Sequence, residues 1–210
     1  MKIIKELYDY REMISNLVKK DLKVRYKGSV LGFLWTFLNP LLQLVVYTIV
    51  FSTIMRVDID KYYIYLFVGL IPWIFFASSI QVGTVSIMMN KDLIKKIYFP
   101  RIILPIVTTN SAFMNMFYSM IVVLLTILVS GIGFSKYVLL LPIVMIVQYI
   151  LVLGMTFIFS ALNVFFRDLE YILNIIVMMW FYLTPIVYNI EMIPERHRFW
   201  FYLNPMTGII

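Results

Sequence analysis

The sequence predicts an all-α polytopic membrane protein, and three observations support that fold class. Five stretches of at least 20 residues contain no Asp, Glu, Lys, Arg or His: 28–55, 62–90, 102–135, 137–166 and 171–190. A helix needs about 20 apolar residues, at ~1.5 Å rise each, to cross the hydrocarbon core. Hydrophobic residues make up 62% of the chain and charged residues 14%, unlike a soluble domain. The stretches are continuously apolar, whereas the strands of a membrane β-barrel alternate apolar and polar residues.

The uncharged stretches place five membrane spans at about 31–55, 63–88, 104–131, 138–165 and 170–189. Thirteen Lys and Arg residues then fall on the N-terminal side and five on the other, so the N-terminus is predicted to be cytoplasmic. The first 27 residues are charged and do not indicate a signal peptide. Residues 207–210 turn apolar again, so we expect a chain truncated before a sixth span; a five-span protein with an interfacial end is the alternative.

The N-terminal segment, 1–29, is predicted to form an amphipathic helix in the cytoplasmic interface. Ile14, Leu17, Val18 and Leu22 recur at helical spacing on one face, and most of the lysines lie elsewhere. It could be a topology anchor without substrate contact. Alternatively, its cations could bind a lipid phosphate or pyrophosphate, and the candidates are Lys19, Lys20, Lys23, Arg25 and Lys27.

The two cytoplasmic loops differ in their predicted roles. Residues 90–101 predict a short helix with Asn90 as its N-cap and Pro100 beyond its end. Its apolar ridge, formed by Leu93, Ile94 and Ile97, and its basic rim suit docking to a partner protein, although a solvated loop would fit the same composition. Arg167 and Asp168 mark a tight second turn, where they could pair or cap helix ends; a purely structural turn is the interpretation that the local chemistry favours.

The segment 190–206 is predicted to lie outside, either at headgroup depth or as a gate over an exit. Its aromatic run, 199–202, suits both positions. The single histidine, His197, stands between two arginines and is interpreted as an exposed loop residue, so no metal site is expected.

Polar and aromatic side chains inside the spans have two interpretations. Eight amides are expected to form interhelical hydrogen bonds that hold the helices together: Asn39, Gln43, Gln81, Asn110, Asn115, Gln148, Asn163 and Asn174. Aromatic rings belong mostly to interface belts and helix packing. Those that face a central channel would suit a sliding sugar chain, and the candidates are Trp35, Trp73, Phe76, Tyr118, Trp180 and Tyr182.

The chemistry missing from the sequence limits the function. Transporters driven by an ion gradient usually hold an ionisable residue in the membrane, and the five uncharged stretches hold no Asp, Glu, Lys, Arg or His. There is no cysteine, no convincing acid–base constellation and no G-x-x-x-x-G-K-[ST] motif, so we expect neither an enzyme nor a nucleotide site. An active transporter of this kind must take its energy from another chain.

Several short motifs, in this order and spacing, resemble the ABC-2-type permease subunits of polysaccharide ABC exporters, which export lipid-linked O antigen, teichoic acid or capsule. The motifs are 26–35 (YKGSVLGFLW), 38–41 (LNPL), 99–101 (FPR), 104–105 (LP), 166–169 (FRDL), 185–188 (PIVY), 193–195 (IPE) and 204–207 (NPMT).

The resemblance implies a homodimer of six-span permeases in a bacterial or archaeal plasma membrane. It implies two copies of a cytoplasmic ABC ATPase subunit that bind ATP and Mg, with no cofactor in this chain and no nucleic-acid partner. The substrate would be a glycan on undecaprenyl diphosphate or a related lipid. The segment that couples to the ATPase would be Lys91, Asp92, Leu93, Ile94, Lys95, Lys96, Ile97, Tyr98, Phe99, Pro100 and Arg101.

The expected function is therefore half of an export channel for a lipid-linked polysaccharide. An ABC-2-type exporter of a drug or a small lipid is the nearest alternative, because it would share the fold. A membrane-embedded transferase and a passive scramblase are alternatives from other classes.

Overall fold

The computed structural model describes residues 2–25, 27–54, 61–131, 133 and 135–210, without the side chains of 2–4, 25, 33, 53 and 54. All regular structure in these ranges is helical, so the all-α prediction is confirmed. The helices are α1 (Lys2–Asp9), α2 (Arg11–Arg25), α3 (Trp35–Thr48), α4 (Tyr62–Met89), α5 (Lys91–Lys96), α6 (Ile103–Val129), α7 (Leu141–Phe165), α8 (Leu169–Tyr182) and α9 (Glu195–Tyr202). A π-helical segment, Ile49–Ile54, continues α3, and 3₁₀ turns occupy Gly32–Leu34, Lys136–Leu140 and Ile190–Met192.

Four helical segments in the described part of the chain are long and apolar enough to cross a membrane. They are Trp35–Ser52, Tyr62–Lys96, Ile103–Val129 and Lys136–Phe165. The fifth predicted span contains α8, which has 14 residues. At ~1.5 Å per residue α8 is about 21 Å long, shorter than the ~30 Å hydrocarbon core. The chain turns beyond Tyr182 instead of extending the helix to residue 189.

Helix α4 lies at the centre of the bundle. Within its most apolar window 61% of the residues are buried, compared with 17–28% for the other three long segments. It packs against α3, α6, α7 and α8. Phe76 and Leu66 are fully buried on it. The other long helices therefore bury one side against α4 and expose broad apolar faces, as expected in lipid.

Small and polar side chains hold α7 against its neighbours. Gly83 of α4 lies directly against the methyl group of Thr156, with no room for a Cβ atom. The Gln148 amide donates from Nε2 to the Pro72 carbonyl at 2.8 Å. The Tyr149 hydroxyl donates to Asn110 Oδ1 on α6. Close small-residue packing and interhelical hydrogen bonds are the usual means of helix association in membranes.

The N-terminal segment is two helices that meet at Tyr10, not one. The apolar side of α1 and α2, including Met13, Ile14 and Leu17, packs on a separate buried cluster of Phe99, Ile103, Leu104 and Val107. This apolar face was expected to lie in the membrane interface. The structure shows that protein covers much of it, because the start of α6 lies beneath α2.

The chain after α8 folds back onto the bundle. Ile186 and Val187 are buried, and the Tyr62 hydroxyl donates to the Val187 carbonyl at 2.8 Å. Further along, Met206 is fully buried, with its Sδ 4.0 Å from Gln148 Nε2. The predicted external segment 190–206 is therefore anchored at both ends, and α9 lies between the anchors.

Candidate transport cleft and coupling surface

A cleft of about 350 Å³ lies between α3 and α8, where both helices pack against α4. Each flanking helix touches the bundle through a single stripe of buried residues, which on α3 is Thr36, Pro40 and Leu44. The narrow contact leaves the cleft between the helices. Its lining is Gln43, Tyr47, Leu70, Trp73, Ile74, Ala77, Ser78, Gln81, Val177, Met178, Phe181 and Tyr182.

Aromatic rings form a continuous wall along the cleft. The rings of Tyr47 and Phe181 stack with centroids 5.7 Å apart, and Trp73 lies 5.6 Å from Phe181. Behind them, the Phe76 centroid is 5.2 Å from both Trp73 and Trp180. Edge and offset ring contacts of this kind stabilise one arrangement of the rings.

The structure separates the six predicted channel aromatics into three groups. Trp73 and Tyr182 line the cleft. Phe76 and Trp180 pack behind its wall, with Phe76 fully buried, so they support the lining in this chain without reaching the open space. Trp35 lines a smaller cavity of about 100 Å³ on the other side of α3, and Tyr118 lines neither cavity.

Amide side chains contribute polar groups that the sequence analysis assigned to helix packing. That assignment fits Asn110 and Gln148, which make interhelical hydrogen bonds. In contrast, Gln43 and Gln81 are exposed and line the cleft. The spacing of Gln43 and Tyr47, one helical turn apart and beside the buried stripe of α3, is the signal that could have identified them.

Two further amides extend the polar edges of the flanking helices. Asn174 of α8 lies one turn before Met178, which lines the cleft, whereas Asn39, one turn before Gln43, lines the smaller cavity with Trp35. Both side chains are exposed. The described lining has no ionisable acid or base at neutral pH. Aromatic faces with a few convergent neutral hydrogen-bonding groups suit an uncharged polar ligand.

The loop 90–101 separates into a packed side and a free side. Leu93 and Ile94 pack against the cluster beneath α1 and α2, and Phe99 is buried there. In contrast, Tyr98 is 93% exposed and Ile97 52% exposed. Pro100 is half-buried. The charged residues of the segment are exposed and form a charged rim: Lys91, Asp92, Lys95, Lys96 and Arg101.

Asn90 occupies the position before α5, but its side chain does not cap that helix. Its Nδ2 donates to the Ser86 carbonyl at 2.8 Å, so the amide completes the end of α4 instead. The N-cap expectation was therefore wrong. The last carbonyl groups of a helix lack backbone partners, so the Asn90 amide pairs with one of them at the end of α4.

The predicted phosphate-binding cations are only partly grouped. Lys19, Lys20, Lys23 and Lys27 are exposed, and the side chain of Arg25 lies outside the described atoms. Lys20 shares a cavity of about 120 Å³ with Asp21 and Asn90. Because the Asp21 carboxylate disfavours an anion in that cavity, the outward faces of the other lysines are the better surface for one.

At the turn between α7 and α8, which the sequence predicts to be cytoplasmic, Arg167 and Asp168 are both exposed. Asp168 stands at the start of α8 and makes no side-chain capping hydrogen bond. Its carbonyl accepts from the amides of Tyr171 and Ile172, both at 3.1 Å. The turn is therefore held by its backbone, which fits the structural interpretation.

Four long apolar helical segments in the described part of the chain and a neutral cleft between helices are the features of a multi-pass membrane protein. The family profile described as ABC-2 type transporter matches residues 12–210, and the chain belongs to that family.

Three relatives are named for transport or export. The O-antigen export system permease protein RfbA of Myxococcus xanthus is 38% identical over 214 residues, which cover 100% of this chain and 82% of the relative. The protein of the same name from Klebsiella pneumoniae is 40% identical over 205 residues, covering 97% and 78%. The polysialic acid transport protein KpsM of Escherichia coli is 22% identical over 204 residues, covering 94% and 78%.

Proposed function

We propose that this chain is the permease subunit of an ATP-driven exporter that moves a lipid-linked polysaccharide across the bacterial inner membrane. The observation that carries the proposal is the identity of 38–40% to O-antigen export permeases along nearly the whole chain. The neutral cleft agrees with such a substrate. Sugar rings can stack on Tyr182, which is 63% exposed, while Gln43 and Gln81 exchange hydrogen bonds with hydroxyl groups as the polymer advances.

The experiment is reconstitution of the chain with its ATPase, followed by addition of lipid-linked glycans or of lipids without a glycan. We expect the glycan-bearing lipid to stimulate ATP hydrolysis and to become accessible on the opposite face of the vesicle. Stimulation by glycan-free lipids or drugs alone would contradict the polysaccharide assignment and favour the small-molecule alternative.

A second copy would complete the channel. The faces of α3 and α8 beside the cleft are exposed and apolar, with Val46 57% and Met178 60% exposed. The amides Asn39, Gln43 and Asn174 are unfavourable toward lipid, because hydrocarbon offers them no hydrogen bonds. A homodimer with the two clefts facing each other would give these amides a hydrated lumen. Cross-linking of single cysteines placed on α3 tests this arrangement; exclusively monomeric protein in the membrane would contradict it.

Energy would come from a cytoplasmic ABC ATPase subunit, present in two copies, that binds ATP and Mg. We assign its docking ridge to the free side of the coupling loop, namely Met89, Ile97 and Tyr98, which are 52–93% exposed. Apolar side chains exposed beside a charged rim are typical of protein contacts. The N-terminal helices pack on this loop, so both would lie in the cytoplasm.

The docking ridge can be tested by pull-down with the ATPase. Ile97→Ser with Tyr98→Ser should release the ATPase while the permease remains folded, since neither side chain is buried. Tyr137→Ser is the matched control, because it removes an exposed ring away from this loop, and it should retain the ATPase. Normal co-purification of the double variant would show that docking occurs elsewhere.

The basic outward face of α2 would attract the lipid pyrophosphate, through charge-assisted hydrogen bonds from Lys19 and Lys23 and from neighbouring cations. Replacing Lys19, Lys20 and Lys23 together with Gln should reduce export and leave membrane insertion intact. Lys5→Gln on α1 is the control. Undiminished export by the triple variant would remove the pyrophosphate site.

A further inference from the structure

A groove of about 460 Å³ lies on the flank of the bundle, at the end opposite the coupling loop. It runs between the start of α4 and the end of α6, and we refer to it as the flank groove. Leu125 and Val129 are 55% and 86% exposed along it. Its lining is Tyr63, Val122, Leu125, Thr126, Val129 and Ser130. The transport cleft lies elsewhere, between α3 and α8, and shares none of these residues.

The flank groove is apolar although two of its residues carry hydroxyl groups. The Thr126 hydroxyl donates to the Val122 carbonyl at 2.8 Å, and the Ser130 hydroxyl donates to the Ile127 carbonyl at 2.7 Å. Both hydroxyls are thus used within α6 itself. Val122 and Val129 lie two turns apart, so the stripe is about 10 Å long.

One cation is fixed at the polar end of the flank groove. The Lys61 ammonium donates from Nζ to the Ser130 carbonyl at 3.1 Å. Carbonyls at a helix end are unpartnered and carry partial negative charge, so they hold a cation there. An ammonium has three N–H donors, so a single contact to a carbonyl does not use its full capacity and it can also donate to an anion.

The backbone at Lys61 is in an unusual conformation. Its φ is +49°, in the left-handed region that residues with a Cβ atom rarely adopt. This conformation immediately precedes α4 and accompanies the contact between Lys61 and the end of α6. A strained residue that directs a charged group to a groove is a reason to look for a ligand.

We propose that the flank groove binds an anionic phospholipid of the membrane, with one acyl chain along the α6 stripe and its phosphate on Lys61. The two halves of the site match the two halves of such a lipid. The apolar stripe suits methylene groups. The ammonium suits a phosphate, through charge-assisted hydrogen bonds at a membrane interface. The site is additional to the export function and does not depend on it.

Native mass spectrometry of the delipidated chain, titrated with phosphatidylglycerol, tests the proposal. Lys61→Gln should weaken the tightest binding about tenfold, because a charge-assisted contact is lost. Leu125→Trp keeps the cation but fills the groove, and should weaken binding similarly. Lys136→Gln is the control, since its ammonium lies 5.5 Å from the Tyr137 ring and outside the lining.

Thermal unfolding supplies a second measurement and a check on folding. Phosphatidylglycerol should raise the unfolding midpoint of the wild type and of Lys136→Gln, but not that of Lys61→Gln. If Leu125→Trp does not fold, Val129→Trp replaces it, because Val129 is 86% exposed. Unchanged affinity in both the Lys61 and the groove-filling variants would overturn the site. Preferential binding of a polyprenyl phosphate, with phosphatidylglycerol excluded, would overturn the assignment of the ligand.

Discussion

Replacing Gly83 with alanine tests how α4 and α7 pack. A Cβ atom at Gly83 would overlap the Thr156 methyl group, whereas Thr156 Cβ and Oγ1 would be 3.4 and 3.5 Å away, at ordinary contact distance. The methyl group is not free to rotate, because the Thr156 hydroxyl donates to the Val152 carbonyl at 2.7 Å. The clash therefore comes from a single methyl group in a fixed rotamer.

Two opposing terms set the magnitude. Overpacking a well-packed site costs about 1–3 kcal/mol. Alanine in place of glycine inside a helix gains about 0.5–1 kcal/mol. Gly83→Ala alone should therefore lower the free energy of unfolding. In a Thr156→Ser background the methyl group is gone and the hydroxyl remains, so the same change should be neutral or stabilising.

The assay is a double-mutant cycle of thermal unfolding midpoints for four proteins in one detergent: wild type, each single variant and the double variant. A coupling of about 1–3 kcal/mol should appear as a difference of several degrees in the effect of Gly83→Ala between the two backgrounds. Thr156→Ser alone is the matched control. An equal shift from Gly83→Ala in both backgrounds would refute direct packing of Gly83 on Thr156.

Other variants test single contacts. Gln148→Leu removes the hydrogen bond to Pro72 and should destabilise the bundle by about 0.5–1.5 kcal/mol, measured by thermal unfolding; no change would show that the buried amide contributes nothing net. Leu93→Ser should lower the unfolding midpoint, unlike Tyr98→Ser, because Leu93 packs against the buried cluster around Phe99 whereas Tyr98 is 93% exposed. Gln81→Leu should slow glycan export without changing the unfolding midpoint, measured with vesicle assays; normal export would exclude Gln81 from the substrate path.

The sequence predicts the membrane helices well because their cause is local. In lipid, the backbone amide and carbonyl groups of an uncharged stretch have to form hydrogen bonds with one another, which favours a helix. The stretches 62–90 and 102–135 accordingly form α4 and α6, with small errors at the ends. The fifth stretch shows the limit of this argument. Its composition favours a span, but α8 ends at Tyr182, just before Pro185, which has no amide donor and disfavours helix at Thr184. The path of the chain beyond this end depends on tertiary partners, because Tyr62 and Tyr65 donate to the carbonyls of Val187 and Tyr188.

The candidate site was less predictable than the fold, for a similar reason. The sequence shows which residues of the spans are polar or aromatic, but it does not show which of them face the core and which face the cleft. Gln148 becomes a buried packing amide because Pro72 lies opposite, while Gln81 of α4 is exposed and lines the cleft between α3 and α8. Helix α2 is a comparable case. The periodicity of its apolar residues suits packing against either lipid or protein, and in the structure these residues pack against the buried cluster around Phe99.

The position of α4 explains how work done outside the membrane can reach the substrate path. One helix supplies the wall of the cleft, through Trp73 and Gln81, and continues across Asn90 into the coupling loop. Its buried side packs closely against α7 at Gly83. In contrast, α3 and α8 contact the bundle through one stripe of buried residues each. If the proposed docking of an ATPase at this loop is correct, a push there would displace α4 together with α7 and would change the width of the cleft.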